Sequence, residues 1–426
     1  MSTSNERIAE AESSQSQQGV PDLTPVTAGG SSSLDRGIVK RLLATLGEPA
    51  FDFLLWNGER IASAAEHKVG TIRIADRSTL LGLVRSPDIE FGDGYSEGRI
   101  EVEGDLVEFL EALYHGVMYG ALRPSAVRQL TQRLRRARSN TLDRSRDNVH
   151  HHYDIGNAFY ELWLGNTMAY TCAYYPTPEV TLDAAQAAKM DHVCRKLRLK
   201  PGESVVEAGC GWGTLAMHMA RNYGVKVRAF NISKEQVAYA RERAAREGLA
   251  DRIEYVEDDY RNIGGEFDAF VSVGMLEHVG VDHYPELGRI ARATIGANGR
   301  GLIHSIGRNR PKPLNPWIVK RIFPGAYPPS IGEMMQIFEP AGLSVLDVEN
   351  IRLHYARTLA HWLENFEAAA DRVREMFDER FVRMWRLYLA GSQASFEVGE
   401  LQLFQVVFAP SGSNEIPWTR AHLYGG

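Results

Sequence analysis

The sequence predicts a doubly wound α/β domain joined to a smaller α+β domain on its N-terminal side, and three observations carry this. From Lys200 onward short apolar runs alternate with segments of helical periodicity, the pattern of a parallel sheet with right-handed crossovers. The first of those runs, "ESVVEAGC", opens into a glycine-rich turn, which places any ligand at the carboxyl ends of the strands. Well upstream, "FDFLLWNGERI" and "GTIRIAD" read as short strands about an Asn-Gly turn, followed by a helix in "DLVEFLEALYHGVMYG".

In chain order, residues 1–33 are rich in Ser, Gln, Gly and Pro and poor in aromatics, a composition predicting a disordered leader. Residues 34–122 form the small α+β domain. Residues 123–147 carry Arg123, Arg128, Arg133, Arg135, Arg136 and Arg138 around Val127, Leu130, Leu134 and Ala137 at helical spacing. That segment reads equally as a solvated basic linker or as a helix lying on anionic lipid headgroups. Residues 148–426 contain the large domain. Within it "WGTLAMHMARNYG" is a helix ending at Gly224, "VKVRAFNI" the next strand and "KEQVAYARERAAREGL" a helix; "IEYVEDD" and "FDAFVSVGM" are strands again.

Composition narrows the function classes. The 426 residues carry 48 basic and 54 acidic side chains, a net charge of −6, so no global positive field points to nucleic acid. Three cysteines without a CxxC pair argue against a disulfide framework and against structural zinc, and favour a reducing, cytoplasmic setting. No run of eighteen apolar residues and no signal-peptide core is present. His150, His151 and His152 are adjacent, point in different directions and have no carboxylate or Cys partner at ligand spacing, so no metal site is expected.

The turn "VVEAGCGWG" sets Gly209, Gly211 and Gly213 at alternate positions rather than in the GxGxxG of dinucleotide folds. An acid before GxGxG is the arrangement by which S-adenosylmethionine methyltransferases accept the methionine end of the cofactor, although such a turn also serves purely structural ends. At the end of the second strand, where an acid usually holds ribose hydroxyls, "FNISKEQ" supplies Asn231, Ser233 and Gln236 instead. After the third, "VEDDYRN" offers Asp258, Asp259 and Tyr260 to an adenine. Cys172, in "MAYTCAYYP", reads as nucleophile, ligand or packed thiol.

Taken together, "HHYDIGNAFYELWLGNTMAYTCAYY", "VEAGCGWG", "ISKEQ", "DDYRN", "SVGMLEHVG" and "LIHSIG" resemble the cyclopropane-fatty-acyl-phospholipid synthases and the related mycolic acid cyclopropane synthases. The similarity runs from about Asn148 to Phe408 and includes "FPGAYPP", "HYARTLAHW" and "ELQLFQVVF". The small domain also resembles the N-terminal domain of the bacterial phospholipid enzymes.

That resemblance implies a Rossmann-like class I methyltransferase fold and a defined chemistry. A sulfonium methyl goes to a cis double bond of an unsaturated phospholipid acyl chain, and the resulting carbocation loses a proton to bound bicarbonate as the cyclopropane closes. The same first step serves methylene- or methyl-branched products, and the fold also hosts soluble small-molecule acceptors. The implied bicarbonate cradle is Cys172, Gly274, Glu277, His304, Ile306 and Tyr355, of which Cys172, Glu277, His304 and Tyr355 are the implied catalytic side chains. The implied cofactor set is Tyr170, Thr171, Val206, Glu207, Gly209, Cys210, Gly211, Trp212, Gly213, Asn231, Ser233, Gln236, Asp259 and Tyr260. Family members usually carry Ser at Thr171 and commonly Thr at Asn231. Tyr170, Tyr174, Tyr175, Trp212 and Phe338 are candidate aromatic walls for a cation. A homodimer working peripherally on the inner face of a membrane, with no nucleic-acid partner, completes the expectation.

Overall fold

A computed structural model describes residues 30–119 and 155–424. The leader up to residue 29, the basic segment 123–147 and His150 to His152 lie outside the described residues. The leader was expected to run to residue 33, but helix α1 (Ser33–Thr45) already begins there. Ser32 caps it by accepting from the Asp35 N–H, and the Asp35 carboxylate accepts from the Ser32 N–H, a capping box that satisfies two otherwise orphaned donors.

The small domain is built on a four-stranded sheet of order β2-β1-β3-β4: β1 Phe51–Leu54, β2 Arg60–Ile61, β3 Gly70–Ile74 and β4 Ile100–Gly104. β1 and β2 form the hairpin expected at Asn57-Gly58, whereas β3 lies parallel to β1. Helices α2 (Arg77–Arg85), α3 (Pro87–Ser96) and α4 (Leu106–Tyr119) cover it. Only α4 and the first three strands were legible in sequence. In α3 the glycines at 92 and 94 blur the helical pattern.

The large sheet has seven strands in the order β10-β11-β9-β8-β5-β6-β7. These are β5 Ser204–Ala208, β6 Lys226–Asn231, β7 Ile253–Glu257, β8 Phe267–Val273, β9 Ile295–Gly307, β10 Leu343–Asn350 and β11 Gln402–Pro410. β7, β6, β5, β8 and β9 run parallel, and β11 and β10 add antiparallel. The strand order reverses beside β5, and that switch point opens a crevice at the carboxyl ends of β5 and β8. Helices α5 (Asn157–Glu161), α6 (Leu182–Lys196), α7 (Thr214–Asn222) and α8 (Lys234–Arg246) precede or interleave the first strands. Along β5, Val205 packs with Val193, Leu215 and Val237 from α6, α7 and α8, while Val206 faces the opposite layer. Tyr284 and Leu287 of α9 (Tyr284–Thr294) and Ile337 of α11 (Ile331–Phe338) form that opposite layer. The period of two along a strand thus sends Glu207 to the same side as Val205.

The small sheet shares its core with helices of the large domain. A single apolar cluster runs from Val39, Phe51 and Phe109 of the small domain to Trp362 and Trp385 on α12 (Arg352–Ala368) and α14 (Glu379–Glu397), which flank α13 (Ala370–Met376). The segment after β9 is also latched across the boundary. From α10 (Pro316–Arg321), Trp317 Nε1 donates to Asp93 Oδ1 at 3.0 Å, and Arg321 holds both Asp93 oxygens at 2.9 and 2.8 Å. A side chain at Gly92 would collide with the Trp317 ring. Burial alone would raise the Asp93 pKa, yet Arg321 and Trp317 hold it below its ordinary value. Asp93→Ala is therefore expected to destabilise the protein by about 1–2 kcal/mol in urea unfolding at pH 7. The wild type is expected to lose that advantage as pH falls through the carboxylate range.

Candidate active site

The glycine-rich turn is fixed through its backbone. Gly209 and Cys210 donate their N–H groups to Phe230 O at 2.9 and 3.0 Å, fixing the turn against the end of β6. Gly209 has φ +84°, and a Cβ there would lie 2.9 Å from Met275 Cβ, so a side chain would close the crevice between β5 and β8. Gly213, at φ +79°, is the N-cap of α7 and abuts the Tyr255 ring. The turn therefore leaves a cavity whose floor is Glu207, Gly209, Cys210 and Gly211 and whose walls are Tyr170, Thr171, Trp212, Asn231, Gln236, Asp258, Asp259, Tyr260, Gly274 and Met275.

Hydrogen bonds tie down the loop over this cavity and fix Trp212 beside it. Thr214 Oγ1 donates to Thr167 O at 2.6 Å, Trp212 Nε1 to Asn157 Oδ1 at 2.8 Å, and Gln186 Nε2 to Thr171 O at 2.8 Å. Tyr170 lies among the rings of Tyr160, Trp163 and Trp362, with centroids 5.3 to 5.6 Å away, and its hydroxyl is 2.8 Å from that of Tyr388. Tyr170 and Trp212 thus form an aromatic wall. Tyr174, Tyr175 and Phe338 do not line the cavity: Tyr174 is sandwiched between His192 and His354 at 4.4 and 4.6 Å, Tyr175 stacks on His361, and Phe338 packs on Phe408. The strand-like alternation of "AYTCAYY" is broken by an irregular loop, which is why equal ring spacing does not mean equal facing.

Among the residues expected at a cofactor, three are placed elsewhere. Val206 is buried in the apolar layer behind β5, Ser233 caps α8 through the Gln236 N–H, and Gly213 acts through its backbone conformation. The neutral end of β6 is self-paired. Asn231 Nδ2 donates to Gln236 Oε1 at 2.8 Å and Asn231 Oδ1 accepts from Ser233 N at 3.1 Å, leaving the Gln236 amide nitrogen as the donor it can offer. Asp259 is held by Arg261, whose guanidinium reaches both carboxylate oxygens at 3.1 Å. Arg261 also lies over the Tyr260 ring at 4.8 Å.

Of the expected cradle residues only Gly274 lines the cavity; hydrogen bonds tie Gly274 to His304 and Glu277 to Ile306, whereas Cys172 and Tyr355 contact other groups. Gly274 N donates to His304 O at 2.9 Å, joining the ends of β8 and β9. Glu277 follows in a single 3-10 turn, Leu276–His278; its Oε1 accepts the Ile306 N–H at 2.6 Å and its Oε2 has no hydrogen bond among the described residues. Burial pushes its pKa up to about 7, opposed by backbone hydrogen bonds, while the nearby Ser305 hydroxyl gives its hydrogen to Ile306 O. His304, on β9, is fully buried against Gln405 of β11, whose Nε2 is 3.0 Å from His304 Nδ1. Burial, then the nearby Lys189 and Lys196, hold it well below the ordinary histidine pKa. It is therefore neutral, with Nδ1 paired to the Gln405 amide. Tyr355 of α12 stacks on Phe396 at 4.7 Å and edges Trp362 at 6.0 Å.

Cys172 is wholly buried, gives its S–H to Ala173 O at 3.0 Å, and has its pKa pushed up by burial. A thiol so held is no nucleophile. Among the described residues no group of three or more His, Cys, Asp or Glu is arranged around a metal, and no helix is long and apolar enough to cross a membrane.

Sequence reasoning missed Lys189. It is 2% exposed, lines the cavity beside Glu207, and donates to Thr171 Oγ1 at 2.8 Å. The signal was a polar residue every third or fourth position of α6, which in a sequence reads as a solvent face.

Residues 140–406 match the family described as mycolic acid cyclopropane synthetase. The chain belongs to this family. It is an S-adenosylmethionine-dependent methyltransferase of the cyclopropane synthetase type, and its parallel-dominated sheet is the class I methyltransferase fold. A probable fatty acid methyltransferase of Pseudomonas putida is 37% identical over 385 residues, covering 87% of this chain and 95% of that protein. The cyclopropane-fatty-acyl-phospholipid synthase of Escherichia coli K12 is 39% identical over 264 residues, covering 62% of this chain and 68% of the relative. The crystal structure of the mycolic acid cyclopropane synthase CmaA1 with SAH and CTAB superposes with TM-score 0.59 and 29% identity, over 62% of this chain and 97% of the other.

Proposed function

We propose that this cyclopropane synthetase family member transfers the methyl group of S-adenosylmethionine to the cis double bond of an unsaturated phospholipid acyl chain and closes a cyclopropane ring. The observation that carries this reading is one juxtaposition. The orphaned carboxyl of Glu207 and the aromatic wall of Tyr170 and Trp212 face the same cavity, and Gly274 in its wall is hydrogen-bonded to the His304 backbone. The Escherichia coli relative's name and the SAH-bound CmaA1 structure support it.

The cavity suits the cofactor's parts. Glu207 Oε2 is a buried acceptor without a partner among the described residues, matched to an α-ammonium. Gln236 offers its amide nitrogen to a ribose, and Tyr260 with Asp258 borders the position of an adenine. When bound, the cofactor supplies an electrophilic sulfonium methyl. Tyr170 and Trp212 would then exclude water and present ring faces to positive charge, worth about 0.5–2 kcal/mol each.

Bicarbonate fits at one atom above all. Glu277 Oε2 is an acceptor with no partner among the described residues, and a His304 tautomer protonated at Nε2 would be the donor. The Ile306 N–H and Cys172 S–H are already given to Glu277 and Ala173, so the anion's hold rests on Glu277 and His304. Bicarbonate would supply the base, and Glu277 Oε2 would take the proton onward. A peripheral membrane position and a homodimer belong to the same proposal.

A second reading, a methyl- or methylene-branched acyl product, is favoured by the Pseudomonas putida relative, which is matched over nearly its whole length. Incubating the purified protein with methyl-labelled cofactor and cis-unsaturated phospholipid vesicles, then recording proton NMR of the extracted lipid, separates the two. Upfield ring protons are expected, and olefinic methylene signals would favour the branch. Labelled product formed from a soluble acceptor but not from vesicles would sink both.

A further inference from the structure

Lys189 sits midway along α6 with only 2% of its surface exposed, yet it has no carboxylate hydrogen bond among the described residues. Its one hydrogen bond there is to the neutral hydroxyl of Thr171, at 2.8 Å. One turn earlier on the same helix face, Gln186 holds the Thr171 carbonyl at 2.8 Å and the Ala169 carbonyl at 3.3 Å, so α6 fixes both the loop and the amine. Thr171 is further confined by Gly274, where any Cβ would stand 3.0 Å from the Thr171 methyl. Lys189, Thr171 and Glu207 all line the cavity. Burial lowers the Lys189 pKa to about 8 and raises that of Glu207 to about 8, each opposed by the charge of the other. A buried ammonium bonded to one hydroxyl is costly, and its disposition is accounted for by an anion that arrives with the ligand.

We propose that Lys189 is a ligand-binding residue for the α-carboxylate of the cofactor's amino-acid end, directly and through the Thr171 hydroxyl, while Glu207 takes the α-ammonium. Because Lys189 donates to Thr171 Oγ1, the hydroxyl's own hydrogen is left to point at an acceptor. Two opposite charges, set on a helix and on the strand it covers, then match a zwitterion in one orientation only. This specifies which functional group each charge takes, and it rests on the cofactor reading above.

The test uses the full chain and two probes: S-adenosylhomocysteine, and its decarboxylated analogue, which keeps the ammonium. By calorimetric titration, Lys189→Met is expected to weaken S-adenosylhomocysteine about 30- to 100-fold and to leave the analogue within about twofold. Equal weakening of both probes, or no weakening of either, overturns the proposal. Thr171→Val, which keeps the shape of the side chain, is expected to weaken S-adenosylhomocysteine about five- to tenfold with the same selectivity. It decides the question if the Lys189 variant fails to fold, since an equal loss for both probes would again overturn it. Failure of the wild type to bind S-adenosylhomocysteine at all would instead refute the cofactor reading.

Discussion

Glu277→Gln is expected to lower turnover about 10²- to 10³-fold while leaving the dissociation constant of S-adenosylhomocysteine within about twofold. Glutamine keeps an acceptor for the Ile306 N–H but cannot hold a removable proton on the position of Oε2, the oxygen with no partner. Burial holds the wild-type carboxyl at about pKa 7, so its anionic form is gained as pH rises through that value. Wild-type kcat is therefore expected to climb through neutral pH, and a bound anion beside Glu277 would shift the rise upward. In the variant that limb should vanish. Single-turnover rates measured from pH 6 to 9 check this, and an unchanged profile in Glu277→Gln would assign the proton to another group.

Glu207→Gln is expected to act at binding instead, weakening S-adenosylhomocysteine about 100-fold. Glu207 is the buried acid of the cavity floor and ionises against an α-ammonium seated there, so the variant removes that counter-charge. The variant also has a stability signature. Burial raises the folded-state pKa of Glu207 from 4.5 to about 8, so folding binds a proton that the unfolded chain has released. The stability of the wild type relative to the variant should accordingly fall as pH rises from 4.5 to about 8 and level off above. Urea unfolding without ligand across that range measures the slope. A flat difference would mean that Glu207 is solvated.

These two carboxylates also mark how far the sequence reaches. Glu207 is legible because it precedes a glycine-rich turn at the end of an apolar strand, and local spacing alone carries it to the mouth of the crevice. Glu277 and His304 are placed at strand ends by the same reasoning. That reasoning extends to the parallel core of the sheet, because alternation of apolar strand and amphipathic helix has one right-handed solution. The β10 and β11 edge is different. Their antiparallel order depends on pairing across more than fifty residues, and β11, which supplies Gln405 to His304, is buried at every position and so shows no alternation to read.

Sequence by itself determined the fold class, the turn that accepts a ligand, the family, and the residue types at Glu207, Gln236, Glu277 and His304. Tertiary structure alone decided which of them meet. It turned Val206 away from the cavity, locked Asn231 onto Gln236, withdrew Tyr174 into a histidine sandwich, and merged the small domain with the helices of the large one into a single core. It also decided Lys189. Gln186, Lys189, His192 and Lys196 form a polar stripe that periodicity assigns to solvent, and only the loop at Thr171, which takes Gln186 and Lys189, and Glu349 of β10, which takes His192 and Lys196, bury it. The physical reason is that a helical pattern tells polar face from apolar face but not what each face meets, and a charge becomes chemistry only where its surroundings exclude water.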